Sequence, residues 1–428
     1  MRFALINPNW SFEGSIYFGC REPHLPVEFG YAKAILEGRG HDVLLIDAHL
    51  ENMPLSRIKT GLEAFRPDIT VLSTAPGYLF WRCPPPELRV PIQAASAIAG
   101  VSGTLVLVGP HPSATPHAAL RKAGADLAIR GEFETLLPIL AEVSMSEWKK
   151  IPSLVIAGDG MFGSGIPHAC DLNELPALLW PSGMIERHSH HHHRFDSQPK
   201  GPGAEVESSR GCPFRCSFCS KEFFRDRYRK RSLAIVTEEL SSLRRQGVEY
   251  VYFIDEIFLP DRELLSRIRS LGLKFGIQTR IDLWDRDMLE LAGVAGCVSV
   301  EAGIESISEE GRAQFAKTST VTLAQMTEML IFAKRHIPFV QANLIMSEKD
   351  RPEEIADWRA DLLAHGVWAN NPVPVFPYPG SPIYRSRWGN PDDYAWERAH
   401  EHYLNAWSDF SDIQDQNPLP LCVLESGK

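Results

Sequence analysis

The sequence predicts an α/β protein in which two regions of alternating strands and helices follow one another along the chain. Short apolar runs that end at glycine or polar residues recur through residues 1–145 and again through residues 205–385. Helical periodicity fades through 146–204, and 386–428 is rich in aromatic residues. We therefore expect a doubly wound first domain, a connector, a partial barrel and a short, mostly helical C-terminal region.

The pattern of the first region is that of a parallel sheet covered by helices. Strands are predicted at 3–6, 43–47, 69–73, 105–108 and 125–129, with helices at 29–37, 56–65, 92–99 and 133–143. Ligands of such sheets bind at the carboxyl ends of the strands. The predicted contact loops are 7–10, 73–78, 109–113 and 131–132.

The second region repeats the strand–helix unit often enough to predict a (β/α)6-type partial barrel. Strands are predicted at 250–254, 275–280, 297–306 and 339–345, with helices at 236–246, 262–271, 285–292, 323–335 and 352–365. Residues 373–382 are predicted to form a last strand and loop. Catalytic residues of barrels lie at the carboxyl-terminal rim.

Composition excludes several classes of function. The formal net charge of −10 argues against a nucleic-acid partner, whose phosphates favour a basic face. Apolar runs are too short to span a bilayer, and the N-terminal residues predict a strand rather than a signal peptide. We expect a cytoplasmic protein, in which the scattered cysteines stay reduced. These are Cys20, Cys83, Cys170, Cys297 and Cys422.

The chemistry is predicted by three cysteines with the spacing C-x-x-x-C-x-x-C, namely Cys212, Cys216 and Cys219. Thiolates at this spacing can hold three corners of a four-iron cluster and leave the fourth iron open. A structural zinc site would need a fourth ligand, which does not follow nearby. The other alternative is a group of free thiols, but Gly211 and Pro213 favour a tight loop.

This motif resembles the radical S-adenosylmethionine (radical SAM) superfamily, and the resemblance covers about residues 205–385. It implies a [4Fe-4S] cluster whose open iron binds SAM through its amino and carboxylate groups. Electron transfer from the cluster then cleaves SAM to methionine and a 5′-deoxyadenosyl radical. The resemblance also places Phe218, which precedes the last cysteine, along the adenine.

Polar residues at the predicted strand ends are candidates for contacts with SAM. They are Asp255, Glu256, Gln278, Arg280, Glu301 and Glu305. Solvated strand ends or mutual ion pairs would explain one or two of them, but a buried unpaired charge is costly. Arginine binds carboxylates in bidentate fashion, and glutamate accepts from ammonium or hydroxyl groups. By resemblance, Asp255 and Glu256 face the methionyl amino group, and residues 378–382 form the family's closing strand.

The first 145 residues resemble the cobalamin-binding, Rossmann-like domain that precedes many radical SAM domains. The resemblance is carried by Phe29-Gly30-Tyr31, Gly40-His41-Asp42-Val43, Val108 to Pro112 and Arg130 to Glu134. It implies cobalamin contacts from Asn9, Ser73, Thr74, Tyr78, Gly109, His111, Gly131 and Glu132. A histidine between two prolines is more often a turn residue than a metal ligand, although the position of His111 at a strand's carboxyl end allows contact with a corrin. His49 is not assigned as a cobalt ligand, because the Asp-x-His-x-x-Gly signature is absent.

Together these resemblances imply a cobalamin-dependent radical SAM enzyme, most simply a methyltransferase acting on an unactivated carbon of a small molecule. Its relatives need an external flavodoxin- or ferredoxin-like electron donor, and both metal centres are oxygen-labile. The alternatives are a non-methylating relative, which contracts, cyclises or oxidatively closes rings, and a corrinoid carrier or sensor. The histidine-rich tract at 187–194 predicts a solvated linker, and the aromatic tail predicts a cap on the barrel or a substrate lid.

Overall fold

The computed structural model describes residues 1–16, 22–77, 84–158, 166–188, 202–406 and 418–426. The chain forms two compact units, each made of more than one segment. The first unit comprises Met1–Leu178, Cys219–Asp226 and Phe376–Lys428. The second comprises Leu179–Phe218 and Arg227–Val375. Within the described residues, no helix is both long and apolar enough to cross a bilayer.

The first unit contains a six-stranded sheet in the order β2-β1-β3-β4-β5-β6. Its strands are β1 (Arg2–Asn7), β2 (Asp42–Asp47), β3 (Ile69–Ser73), β4 (Thr104–Val108), β5 (Leu127–Ile129) and β6 (Leu154–Ile156). The first five pair in parallel, whereas β6 runs antiparallel to β5. The strand order reverses between β1 and β3, and such a switch point is where ligands of doubly wound sheets bind.

Helices cover both faces of this sheet. They are α1 (Val27–Gly38), α2 (Leu55–Phe65), α3 (Arg89–Ile98), α4 (Pro110–Ala114), α5 (Pro116–Ala123) and α6 (Leu137–Glu142), followed by a 3₁₀ turn at Met145–Lys150. Along β1, Phe3 and Leu5 belong to one apolar core, and Ala4 and Ile6 belong to the other. A strand buried on both faces explains why its sequence is continuously apolar.

The second unit contains six parallel strands in the order β14-β13-β12-β11-β10-β7. They are β7 (Gly203–Val206), β10 (Tyr250–Phe253), β11 (Lys274–Thr279), β12 (Cys297–Glu305), β13 (Phe339–Leu344) and β14 (Trp368–Ala369). A short antiparallel pair, β8 (Ser209–Arg210) and β9 (Arg229–Lys230), flanks the cysteine motif. Six strands paired in sequence order, with helices between them, confirm the predicted partial barrel.

The helices of the second unit match the predicted ones closely. They are α7 (Ser182–Ile185), α8 (Leu233–Arg245), α9 (Arg262–Leu271), α10 (Arg286–Ala295), α11 (Glu309–Gln314), α12 (Leu323–His336) and α13 (Pro352–Ala364), with a 3₁₀ turn at Ile281–Leu283. Side-chain caps set several of their starts. Asp261 accepts from the amides of Glu263 and Leu264, and Thr322 forms a capping box with Gln325.

Three local predictions were wrong. The predicted loop 109–113 is mostly helix α4, because Gly109 has φ +117° and Pro110 opens a turn. The predicted helix 133–143 begins only at Leu137. Residues 378–382 form no strand, because the Ser381 side chain instead accepts from the Tyr384 amide and caps α14 (Pro382–Trp388).

The described part of the tail packs within the first unit, whereas the sequence prediction placed it on the barrel. Its last two helices are α15 (Ala395–Ala406) and α16 (Leu421–Glu425). Trp396 of α15 is buried and donates a 3.1 Å hydrogen bond to the Thr115 hydroxyl. Lys122 of α5 donates to Glu425 of α16 at 2.7 Å. Both contacts join the tail to the α4–α5 region.

Candidate active site

The cysteine loop follows β8, and its residues up to Phe218 belong to the second unit. The three cysteines are unpaired by disulfides and half-buried. The amide of Ser217 donates to the Phe315 carbonyl at 2.9 Å, and the Phe218 ring packs edge-on against Phe315. The loop is thus held against the residue that follows α11.

Two carboxylates after β10 shape the chain that leads into this loop. Buried Asp255 accepts from the amide and hydroxyl of Ser208 and from the hydroxyl of Ser209. Glu256 accepts from the Gly211 amide at 2.7 Å. Burial raises the pKa of Asp255 to about 7, although these hydrogen bonds oppose the shift. The two residues therefore bind the backbone beside Cys212.

A buried ion-pair network supports the same strand end. Arg210 donates two hydrogen bonds to Glu207, at 3.0 and 2.8 Å, and both side chains are fully buried. Arg231 donates to the Glu207 carbonyl and to Glu239. Charges buried in this way need partners, and here each has one. These contacts fix the backbone just before the cysteine motif.

Two cations lie close enough to influence the thiols of the loop. Burial raises the pKa of the Cys216 thiol, and the charges of Lys317 and Arg280 oppose that shift. Arg280 donates to both oxygens of Asp282, at 3.0 and 2.6 Å, and its guanidinium lies 4.1 Å from the centre of the Phe214 ring. The Glu305 carboxylate adds to the rise, so the Cys216 pKa stays above its ordinary value despite the two cations.

The carboxyl end of β12 brings Glu305 next to Lys317. Lys317 donates to Glu305 at 2.6 Å, and the two side chains are only 7% and 11% exposed. Glu305 has φ +67°, a left-handed conformation that few non-glycine residues adopt. A methyl group at Gly303 would lie 2.4 Å from a Glu305 oxygen, so Gly303 leaves room for the pair.

Gln278 and Glu301 are opposite one another on neighbouring strands β11 and β12. Glu301 is buried and accepts a 3.2 Å hydrogen bond from the Tyr252 hydroxyl. The structure thus places Asp255, Glu256, Arg280 and Glu305 at or just after the carboxyl ends of β10, β11 and β12, whereas Glu301 lies in the middle of β12. Sequence reasoning missed Lys317 and Phe214, which follow no periodic pattern and become visible only through their contacts.

In the first unit, the residues that follow β1 form a polar turn. The Asn7 amide donates to Asp47 at 2.8 Å and accepts from the Trp10 indole at 2.8 Å. The predicted contact Asn9 donates to Asn52 at 2.9 Å on the surface. These contacts join the end of β1 to the end of β2.

The predicted contacts after β3 and β4 touch one another. The amide and hydroxyl of Thr74 both donate to the Val108 carbonyl, and the Ser73 hydroxyl donates to the Ala75 carbonyl. A methyl group at Gly109 would lie 2.7 Å from the Thr74 hydroxyl. The absence of a side chain at Gly109 therefore lets the ends of β3 and β4 lie close together.

Gly131 and Glu132 serve the packing of the chain that follows β6. A methyl group at Gly131 would lie 2.3 Å from the His168 carbonyl oxygen, and Gly131 has φ +83°. Buried Glu132 accepts from the Cys170 amide at 2.8 Å. Both residues bind the segment 168–170, which gives these two predicted cobalamin contacts a structural role in the described residues.

His111 is buried in α4 and packs against Trp396, with ring centroids 4.4 Å apart and the ring planes tilted by 32°. Burial lowers the pKa of His111 to about 3, so the ring is neutral at physiological pH. Neither ring nitrogen makes a hydrogen bond of standard geometry within the described residues. Tyr78, Cys20, Cys83 and the histidines at 190–193 lie outside those residues.

A cleft opens at the switch point between β1 and β3. Its lining includes Asn7, Trp10, His24, His49, Pro76 and Gly77. The side chains of Asn7, Glu22 and His49 in this lining can form hydrogen bonds with the amide groups of a corrinoid, and doubly wound sheets bind ligands at this position. The His49 ring accepts from the Trp10 amide at 3.4 Å and lies at the wall of the cleft.

The donor set of the cysteine motif fits an iron–sulfur cluster. Among the described residues, no three His, Cys, Asp or Glu side chains are grouped around a point where one metal ion would sit. Thiolates are the usual ligands of iron–sulfur clusters, and three of them can hold three corners of a four-iron cluster.

Comparisons with known proteins agree with the geometry. Residues 206–361 match the Radical SAM superfamily. The chain is 27% identical to the hopanoid C-3 methylase of Methylococcus capsulatus over 79% of this chain and 65% of that protein. An uncharacterized methyltransferase of Pyrococcus horikoshii is 27% identical over 66% of this chain and 61% of that protein. The chain thus spans less than two thirds of these relatives.

Two solved structures share the fold. The radical SAM methyltransferase TsrM of Kitasatospora setae, solved with cobalamin and a [4Fe-4S] cluster, aligns with a TM-score of 0.70 and 18% identity, covering 89% of this chain and 73% of that one. The cobalamin-dependent enzyme OxsB, solved with aqua-cobalamin and SAM, aligns with a TM-score of 0.65 and 16% identity, covering 98% of this chain and 63% of that one.

Residues 206–361, most of which lie in the second unit, therefore match a radical SAM domain. The chain as a whole has the fold of the cobalamin-binding radical SAM enzymes, with a Rossmann-like domain before the partial barrel.

Proposed function

We propose that this protein is a cobalamin-dependent radical SAM methyltransferase that methylates an unactivated carbon of a small molecule. The observation that carries the proposal is the C-x-x-x-C-x-x-C loop at the end of β8, inside a matched radical SAM domain that follows a doubly wound sheet with a cleft at its switch point. When bound, the [4Fe-4S] cluster, SAM and cobalamin supply the reducing electron, the hydrogen-abstracting radical and the methyl group.

In this proposal Cys212, Cys216 and Cys219 hold the cluster, and the remaining iron is left for SAM. The contacts of Asp255 and Glu256 with residues 208–211 keep the backbone before Cys212 in place. Lys317 and Arg280 partly offset the rise in the Cys216 pKa that burial causes. The protein is thus proposed to prepare the cluster site mainly through the loop backbone.

SAM is proposed to bind at the carboxyl ends of β10, β11 and β12. Arg280 and Lys317 are cations that can meet its carboxylate, and Glu301 and Glu305 are acceptors for its ammonium or ribose hydroxyls. Phe218 is proposed to lie along the adenine. In the described structure Arg280 is paired with Asp282, and Lys317 is paired with Glu305. Binding of SAM in this manner therefore requires these side chains to share or exchange partners.

Cobalamin is proposed to bind the first unit at the carboxyl ends of β1, β3 and β4. The cleft residues Asn7, Trp10 and His49 are the contacts that the structure favours. Asn9, Ser73, Thr74, Tyr78, Gly109, His111, Gly131 and Glu132 remain the contacts predicted from the sequence. We propose further that the enzyme is cytoplasmic and oxygen-sensitive, binds no nucleic acid, and takes electrons from a flavodoxin- or ferredoxin-like donor.

The test is anaerobic reconstitution with iron, sulfide, hydroxocobalamin and SAM, followed by reduction and product analysis. The proposal predicts retained corrinoid and 5′-deoxyadenosine that depends on all three cysteines. With SAM carrying a deuterated methyl group, a cell extract should yield a small molecule with that label together with S-adenosylhomocysteine. Corrinoid binding without SAM cleavage would instead identify a corrinoid carrier or sensor.

A second candidate is a ring-forming reaction without methyl transfer. The chain is 23% identical to the anaerobic magnesium-protoporphyrin IX monomethyl ester cyclase of Cereibacter sphaeroides over 90% of this chain and 63% of that protein. The two candidates differ in their products. Ring closure would give 5′-deoxyadenosine with no S-adenosylhomocysteine and no label transferred from the methyl group.

A further inference from the structure

The chain changes units at the third cysteine of the motif. Residues up to Phe218 belong to the second unit, and the eight-residue stretch Cys219–Asp226 belongs to the first. We call this stretch the anchor segment. Because Cys219 begins it, the position of the third thiolate depends on how the anchor segment is held.

The anchor segment is built into the apolar core of the first unit. Phe224 is 5% exposed and belongs to the same core as Phe29 and Phe133. The Phe223 ring lies 5.4 Å from the Arg130 guanidinium, and a methyl group at Gly380 would lie 2.5 Å from that ring. Two consecutive aromatic rings thus fix the segment by packing.

Polar contacts fix the segment at both of its ends. The Ser220 hydroxyl donates to the Pro379 carbonyl at 2.6 Å, and Lys221 pairs with Asp226 at 3.3 Å, which closes the segment on itself. These bonds surround Phe223 and Phe224. The segment is therefore a folded part of the first unit and not a loose connector.

A buried ion pair joins the anchor segment to helix α1. Arg225 donates to Glu28 at 3.2 Å, and the two side chains are 1% and 3% exposed. Arg225 has φ +56°, a conformation that is uncommon for non-glycine residues. Buried charges of this kind depend on one another, because the loss of one removes an ion-pair partner of the other.

Glu28 also touches the wall of the cleft at the switch point. A methyl group at Gly77 would lie 3.1 Å from the second carboxylate oxygen of Glu28 and 3.7 Å from the Pro26 backbone. Gly77 and Pro26 both line the cleft. One carboxylate therefore contacts Arg225 of the anchor segment on one side and the cleft wall on the other.

We propose that the Glu28–Arg225 pair couples ligand binding in the cleft to assembly of the cluster at Cys219. This inference rests on the proposed function, which places a corrinoid in the cleft. A corrinoid bound against Gly77 and Pro26 would restrain Glu28, and Glu28 would in turn restrain Arg225 and the segment that starts at Cys219. Coupling between two sites is reciprocal, so the cluster must favour the corrinoid as much as the corrinoid favours the cluster.

The experiment measures the Kd of hydroxocobalamin by visible absorbance, with and without a reconstituted cluster. We expect the full-length protein to bind the corrinoid about 5-fold or more tightly when the cluster is present, the lower end of common coupling factors. Glu28→Gln should reduce that ratio to about 1, because its neutral amide cannot pair with Arg225 in the same way. The matched control is Glu142→Gln, which removes the exposed Arg39–Glu142 pair of the same unit and should keep the ratio.

Glu28→Asp keeps the negative charge but shortens the side chain, and its corrinoid Kd is measured in the same way with and without the cluster. The test then remains possible even if Glu28→Gln does not fold. Glu28→Asp should give an intermediate ratio, and its cluster should show a changed electron paramagnetic resonance spectrum. Equal corrinoid affinities with and without the cluster in the unaltered protein would overturn the coupling and leave the proposed function intact. A wild-type ratio that persists in both Glu28 variants would also overturn it. A protein that binds neither group would overturn the proposed function itself.

Discussion

Lys317 donates a 2.6 Å hydrogen bond to Glu305 at the carboxyl end of β12, with both side chains almost fully buried. The pair lies against Gly303, and the backbone of Glu305 is left-handed there. An ion pair next to the cysteine loop combines two roles. It stabilises the fold of the strand end, and in the proposed function it offers a cation and a carboxylate to the charged groups of SAM.

Removing one partner of this pair should destabilise the protein. Lys317→Met leaves the Glu305 carboxylate buried without its cation, so we expect the free energy of unfolding to fall by about 3 kcal/mol. Lys317→Met combined with Glu305→Gln should recover most of that loss. The measurement is urea unfolding of the cluster-free protein.

The matched control for Lys317 is Lys33→Met, which removes the exposed pair between Lys33 and Glu37. That change should cost less than about 0.5 kcal/mol. Equal effects of the two lysine substitutions would contradict the importance given to the buried pair.

Glu87 predicts a specific dependence of stability on pH. Burial raises its pKa to about 7 from an ordinary 4.5, although Ser15 donates a hydrogen bond to it and Arg89 lies nearby. The fold thus favours the protonated form. Its contribution is complete below pH 4.5 and is lost as the pH rises through 7.

Glu87→Gln should therefore reduce the fall of unfolding free energy between pH 4.5 and 7. The slope that Glu87 adds cannot exceed about 1.4 kcal/mol per pH unit. Urea unfolding at several pH values measures it, with the exposed Glu142→Gln as the control. A variant whose pH profile parallels that of the unaltered protein would show that Glu87 is ionised in the fold.

Substitution by alanine should cost more stability at Gly131 than at Gly124, a second glycine of the first unit with positive φ. Gly131→Ala would bring its methyl group 2.3 Å from the His168 carbonyl oxygen, so the backbone must move. Gly124 also has positive φ, but no atom lies within 4 Å of a methyl group there. We expect Gly124→Ala to cost about 1–2 kcal/mol from the backbone alone and Gly131→Ala to cost more. Thermal unfolding measures both, and equal costs would contradict the packing role of Gly131.

Much of the fold follows from the sequence because buried strands are continuously apolar and several helices have side-chain caps. Helix α9 begins after Asp261 and ends before Gly272, as the pattern predicts. The prediction of a loop at 109–113 was wrong because a helix of only five residues is too short for a periodic signal in the sequence. The predicted packing of the tail on the barrel was wrong, because no local pattern indicates which surface an aromatic helix covers.

The site was predicted unevenly for a similar reason. Cysteine spacing is local, so Cys212, Cys216 and Cys219 could be chosen from the sequence alone. Lys317 and the Glu28–Arg225 pair could not, because no local spacing pattern links Lys317 to Glu305, 12 residues before it, or Glu28 to Arg225, 197 residues after it. Gly131 and Glu132 belong to a motif from which a ligand contact was predicted. In the described structure the two residues contact segment 168–170, which the motif does not indicate.

The central claim is that three thiolates hold an iron–sulfur cluster that cleaves SAM. Iron and sulfide analysis with electron paramagnetic resonance of the anaerobically reconstituted protein tests it most directly. The account predicts about four irons per chain, a SAM-dependent change in the spectrum, and loss of both in Cys212→Ala, Cys216→Ala and Cys219→Ala but not in the exposed Cys422→Ala. Iron content that survives the three substitutions, or one zinc ion per chain in its place, would contradict it.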